Sequence, residues 1–233
     1  MLRLYQVIPP PPADEDGPFG LLDNVSVQIL KRFHGSMLEV YDPLAVNGDG
    51  NCLYRVVSMA MYGTQDHHLY LRILTAIELI THQKHYDVSS VDINTHLRNV
   101  QPSPFDSLLH DALTPGAYAE LAHIYALSAA LDIVIESYMP SSLTSAVNPY
   151  SRIIVGRGVR DTKSPRCSLM WTMLSVPKRI ADFQPNHFVL LARKQCESYV
   201  SVASDTEDDV TPATPADDSH TDKTASASPT SVR

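Results

Sequence analysis

The sequence predicts an α+β (mixed α/β) architecture on three observations. Helix-period apolar stripes occupy the first half of the chain, and short β-rich runs follow after residue 131. Both lie between two ends too polar or too proline-rich to pack.

Taken in order, residues 1–20 carry a four-proline block followed by "ADEDGPFG", which predicts a stiff, solvated lead-in. Leu53, Val56, Val57, Ala60 and Met61 then recur at helical spacing and define one buried stripe, with Gly63 placed to cap its C-terminus. A second helix is predicted from an Asp66 cap, burying Leu69, Ile73, Ala76, Ile77 and Ile80. Ser103-Pro104 and Thr114-Pro115 each predict a helix start, since proline suits the first helical position. The later of these would bury Tyr118, Leu121, Ala122, Tyr125 and Ala129 as core. Strands are expected at "DIVIESY", "SRIIVG", "LMWTMLS" and "HFVLLAR". Residues 199–233 read as an acidic Ser/Thr/Pro-rich disordered tail, and residues 21–198 as the folded domain. From residue 201 onward the tail holds seven acids against two bases, so most of the net charge of −8 sits there. Ser204, Thr206, Thr211, Thr214 and Ser228 could accept phosphates, with simple solvation as the default.

An apolar share of 44% supports a real core. The acidic balance argues against nucleic acid as a partner, and no apolar run is long enough for a membrane span. Cys52, Cys167 and Cys196 are odd in number and widely spaced, which fits a reducing compartment rather than a disulfide framework. With no secretory signal in the first residues, a cytoplasmic or nuclear location is expected, and Asn24-Val25-Ser26 is not read as a glycosylation site. His67-His68 and His82-x-x-His85 lack the accompanying ligands of a metal motif, so no metal is expected.

One stretch points to chemistry. "NGDGNCLYRVV" puts Cys52 at the start of an apolar helix, directly behind a turn of residues that tolerate positive φ. A helix N-terminus favours thiolate over thiol, which predicts an acidic Cys52. Such a turn can aim successive backbone N–H groups into one concavity, as a developing oxyanion needs. A distant base is available in His187, which leads into the last apolar strand.

"GDGNCLYRVVSMAMYG" resembles the nucleophile segment of the ovarian-tumour (OTU) family of cysteine peptidases, and "NHFVLLAR" resembles its histidine strand. "PGAYAELAHIYALSAALDIVIESY" is similar to the segment between them. The resemblance runs over residues 43 to 194. "QDHHLYLRILTAIELITHQKHY" and the tryptophan of "LMWTMLS" are similar to the transposon-derived and vertnin-like branch. It implies a small twisted β-sheet between helical layers and hydrolysis of ubiquitin or ubiquitin-like conjugates without cofactor. It also implies Cys52 as nucleophile, His187 as base and later acid, and Asp49 as the residue shaping the oxyanion turn, with the backbone N–H groups of Asp49, Gly50 and Cys52 aimed at the oxyanion. Where many members carry Asp or Asn two residues after the histidine, this chain has Val189, leaving Asn186, Asp182 or Asp49 to orient the imidazole. The segment between also has Gly116-Ala117-Tyr118 where a tryptophan-glycine pair is common. Two further readings stay open: a catalytically weak or silent binding module, and a cysteine peptidase that processes a polyprotein.

Overall fold

A computed structural model describes residues 20–100, 103–141, 148–159 and 164–194. Most of the lead-in, the tail with its phosphate-acceptor candidates, and Cys196 lie outside them. The elements run α1 (Asn24–Phe33), α2 (Met37–Val40), β1 (Tyr41–Leu44), α3 (Cys52–Tyr62), α4 (His68–Thr81), α5 (Gln83–Tyr86) and α6 (Thr95–Asn99). They continue with α7 (Phe105–Leu113), α8 (Leu121–Leu131), β2 (Val134–Tyr138), β3 (Arg152–Val155), β4 (Arg166–Thr172), a 3₁₀ turn at Ile180–Asp182 and β5 (His187–Arg193). This is the α+β class expected, with helices first and most strands later.

The five strands form one sheet in the order β1-β5-β4-β2-β3, antiparallel except between β2 and β4. Alternation along β4 and β5 sorts side chains to two faces, as the strand period of two requires. Leu169, Trp171, Phe188 and Leu190 join the large core built with α3, α4, α7 and α8. Met170, Val189 and Leu191 face the other way and pack on Ile29 and Leu30 of α1. Helices therefore cover both faces of the sheet.

Leu53, Val56, Val57 and Met61 of the α3 stripe are buried as expected and Ala60 is half-buried, and Gly63 caps the helix at φ 70° with its N–H on the Met59 carbonyl. The four expected strands are present; β1 and α1 had no counterpart in the sequence reading. Two helix starts are corrected. α4 begins at His68 rather than from an Asp66 cap, because Asp66 bonds Thr64 in the preceding turn. Thr114-Pro115 lies in a turn, and α8 starts after Glu120, which forms a reciprocal capping box with His123.

The buried face of α4 is also corrected. Leu71, Arg72, Leu74, Thr75, Glu78 and Leu79 point inward with Ala76, while Leu69, Ile73, Ile77 and Ile80 are exposed. The helix is apolar on both sides, so periodicity alone could select the wrong stripe. Polar partners decide it. Glu78 accepts hydrogen bonds from Tyr86 and Arg157, and Arg72 reaches the loop that carries the candidate site.

Candidate active site

The site begins with backbone geometry. Gly50 sits at φ +79°, and a Cβ there would fall 1.7 Å from the carbonyl oxygen of Gly116. Only glycine meets both conditions. The Asp49 carboxylate accepts from the Asn51 N–H at 3.0 Å and from its Nδ2 at 3.0 Å, and it pairs with Arg55 at 2.7 Å. The Arg55 guanidinium holds that carboxyl far below the usual aspartate range.

Arg72 locks this turn to the rest of the domain. Its Nε donates to Asn51 Oδ1 at 2.7 Å, and its Nη2 donates to the carbonyls of Gly50 at 3.0 Å and of Ala117. Nη1 donates to the Asp111 carbonyl at 2.6 Å, and the guanidinium stacks 4.4 Å from the centre of the Tyr54 ring. Asn51 Oδ1 also accepts from the Gly116 N–H at 3.0 Å. The Asn51 N–H is thus spent within the turn, while those of Asp49 and Gly50 donate to no protein acceptor among the described residues. Free backbone donors in a turn next to a nucleophile suit a developing oxyanion.

Cys52 is the first residue of α3 and is 1% exposed. Its sulfur lies against the backbone N–H groups of Phe188, Leu53 and Cys52 itself. Burial nevertheless pushes the thiol up from its ordinary value, with those N–H groups pulling it partly back. This corrects the expected acidic cysteine: loss of water outweighs the helix N-terminus.

The Phe188 contact brings Cys52 to the peptide that follows His187, the first residue of β5. His187 is 4% exposed, and its Nδ1 is buried without a hydrogen-bond partner. Burial lowers its pKa; the charge of Asp23, the nearby Val46 carbonyl and Asp49 act against that. Burial thus favours the neutral form of both the ring and the thiol.

Neither expected orienter in the histidine segment bonds the ring. Asn186 donates its N–H to the Thr172 carbonyl at 2.9 Å, and its side-chain oxygen accepts from the Leu174 N–H at 3.2 Å. Asp182 sits in the exposed 3₁₀ turn with both oxygens on Arg179. Val189, two residues after the histidine, is fully buried against α1. The histidines considered for metal are occupied otherwise: His82 contacts Glu78, His68 contacts Arg55 and the Gln65 carbonyl, and the His67 ring packs on Tyr62. Cys167 is buried on β4, paired across to Ile135 of β2, its thiol pushed up to about 12.

A cavity of about 390 Å³ is lined by Tyr118, Met139, Tyr150, Trp171 and Pro185 among others. Tyr118 stacks on Phe188 with ring centres 5.5 Å apart, so it walls this cavity as well as filling core. The sequence reading missed Arg72, a lone cation in an apolar helix with no motif around it.

Comparison with known proteins fits the resemblance. Residues 43–107 match the family model described as the Vertnin OTU domain. Vertnin of Danio rerio is 23% identical over 170 residues, 64% of this chain and 25% of that protein. Vertnin of Homo sapiens is 24% identical over 148 residues, 55% of this chain and 21% of that protein. The chain thus spans about a quarter or less of the length of the curated relatives it matches. Among solved structures, the OTUD1 OTU domain aligns with a TM-score of 0.47 at 21% identity, covering 72% of this chain and 94% of that one. The Hazara virus OTU bound to ubiquitin aligns at 0.43 and 14% identity, covering 68% and 85%.

Proposed function

We propose that this chain is a thiol-dependent isopeptidase acting on ubiquitin or ubiquitin-like conjugates, with residues 21–198 as its catalytic domain. One observation carries the reading: the Cys52 sulfur meets the peptide following His187 beside a glycine turn with free N–H donors. The match of residues 43–107 to an OTU family model supports the substrate class.

Because burial favours the neutral thiol and the neutral imidazole, His187 takes the thiol proton as sulfur attacks the carbonyl of the substrate's C-terminal glycine. The N–H groups of Asp49, Gly50 and Cys52 hold the negative oxygen of the tetrahedral species. Its collapse breaks the C–N bond, and the lysine amine leaves with the proton from His187. Water, deprotonated by the same ring, then cleaves the thioester and returns the thiol. The chemistry calls for no metal or cofactor. The Tyr118–Trp171 cavity offers an apolar wall for the extended tail of the substrate.

The test is release of a lysine peptide joined to ubiquitin by an isopeptide bond. Wild type releases the peptide, whereas Cys52→Ala and His187→Ala do not. Equal release by all three removes the reading. The raised thiol and the unpartnered Nδ1 favour one competitor, a silent binding module, which would hold ubiquitin at micromolar concentration and cleave no conjugate.

A further inference from the structure

Val189 leaves the histidine without a carboxylate on its own strand, yet that face of the sheet is not devoid of charge. His187 and Thr172 are direct partners across β5 and β4, so their side chains stand side by side on one face. Both share the face of Val189 and Met170 by the strand period, and α1 covers it. The segment before α1 is pinned beside β1: the Asp23 N–H donates to the Pro43 carbonyl at 2.8 Å, and Leu22 bridges Leu44.

This brings three polar groups into line. Ser26 Oγ donates to Asp23 Oδ2, and Ser26 Oγ and Thr172 Oγ1 lie 2.8 Å apart. Ser26 and Thr172 are fully buried. A carboxylate only accepts, so the Ser26 hydrogen is committed to Asp23. Thr172 must then donate to Ser26, which leaves the lone pairs of Thr172 as the free end of the chain, beside the histidine. We infer that Asp23 is the positioning residue for His187, acting through the Ser26 and Thr172 hydroxyls from outside the histidine strand.

During attack the Thr172 oxygen is placed to accept a ring N–H alongside the Val46 carbonyl that the resting ring already faces, and the carboxylate stabilises the imidazolium that forms. No relay bond to the ring is closed in the resting site, where Nδ1 is unpartnered, and such bonds often tighten only during the reaction. The charged or titratable groups acting on the ring are Asp23 and Asp49, with the Cys52 thiol beside its peptide. Asp49 is already paired with Arg55, so Asp23 is the less neutralised of the two carboxylates.

The inference rests on the isopeptidase reading for its purpose but not for its test. The His187 ring titration is followed by NMR in the full chain, alongside kcat and KM on the isopeptide substrate. Asp23→Asn keeps an amide oxygen to cap α1 and removes only the charge. It should lower the His187 pKa by roughly half a unit or more and reduce kcat with little change in KM. Thr172→Val should reproduce both effects, and Thr172→Ser should restore them. An unmoved titration in both folded variants overturns the inference, as does a shift in Asp23→Asn with none in Thr172→Val. If wild type cleaves nothing, the isopeptidase reading fails, while the titration still decides the relay.

Discussion

Arg72 holds Asn51 by a 2.7 Å hydrogen bond from Nε to Oδ1, and Asn51 is the residue immediately before Cys52. A cation on α4 thereby fixes the turn that would bind the oxyanion, while the same guanidinium satisfies the carbonyls of Gly50, Asp111 and Ala117.

Arg72→Met keeps side-chain volume but removes every one of these donors. It should cost about 3 kcal/mol of stability through stranded buried carbonyls, measured by urea unfolding. Arg72→Lys should recover only part of that, since an ammonium cannot span the same fork of acceptors.

Gly50→Ala should abolish isopeptide cleavage. The positive φ and the 1.7 Å approach to Gly116 force the turn to open, carrying the Asp49 and Gly50 donors away. Gly158, also at positive φ but with open space around it, is the control: Gly158→Ala should leave turnover unchanged.

The thiol and imidazole shifts set the pH behaviour. A His187 pKa lowered by burial keeps the base neutral further into acid, so the acid limb of kcat/KM should lie below about 6.5. A raised Cys52 should alkylate with chloroacetamide ever faster through the pH at which an unperturbed thiol levels off. A plateau already reached near neutrality would mean a preformed thiolate instead.

Asp49 has a depressed folded-state pKa, so its pairing with Arg55 stabilises the protein above the ordinary aspartate range. The contribution fades as pH falls from that range toward the lower folded value. Asp49→Asn should therefore destabilise at pH 7, and the gap from wild type should close in acid. The carboxylate side chain is 41% exposed, which keeps the effect modest.

Val189→Asp should not rescue a missing orienter. The site is fully buried among Ile29, Leu30, Met170 and Leu191, so an added carboxylate should destabilise by about 3 kcal/mol or more, read by thermal unfolding.

The sequence made the nucleophile turn legible because glycine, aspartate and cysteine each have a narrow use there. The four later strands were visible because β-branched and aromatic runs between breakers are distinctive. α4 was misread because it is apolar on both sides, and the buried Arg72 broke the pattern without announcing a role. Asp23, Ser26 and Thr172 could not be connected in sequence, since 146 positions separate the two hydroxyls that meet. The thiol shift depends on burial, which no local motif encodes.

The most direct measurement is the intact mass of the full chain after exposure to ubiquitin bearing a C-terminal electrophile, followed by peptide mapping. A single adduct located on Cys52 is expected, absent from Cys52→Ala and strongly slowed in His187→Ala. A folded wild-type chain that stays unmodified, or an adduct on another cysteine, would contradict it.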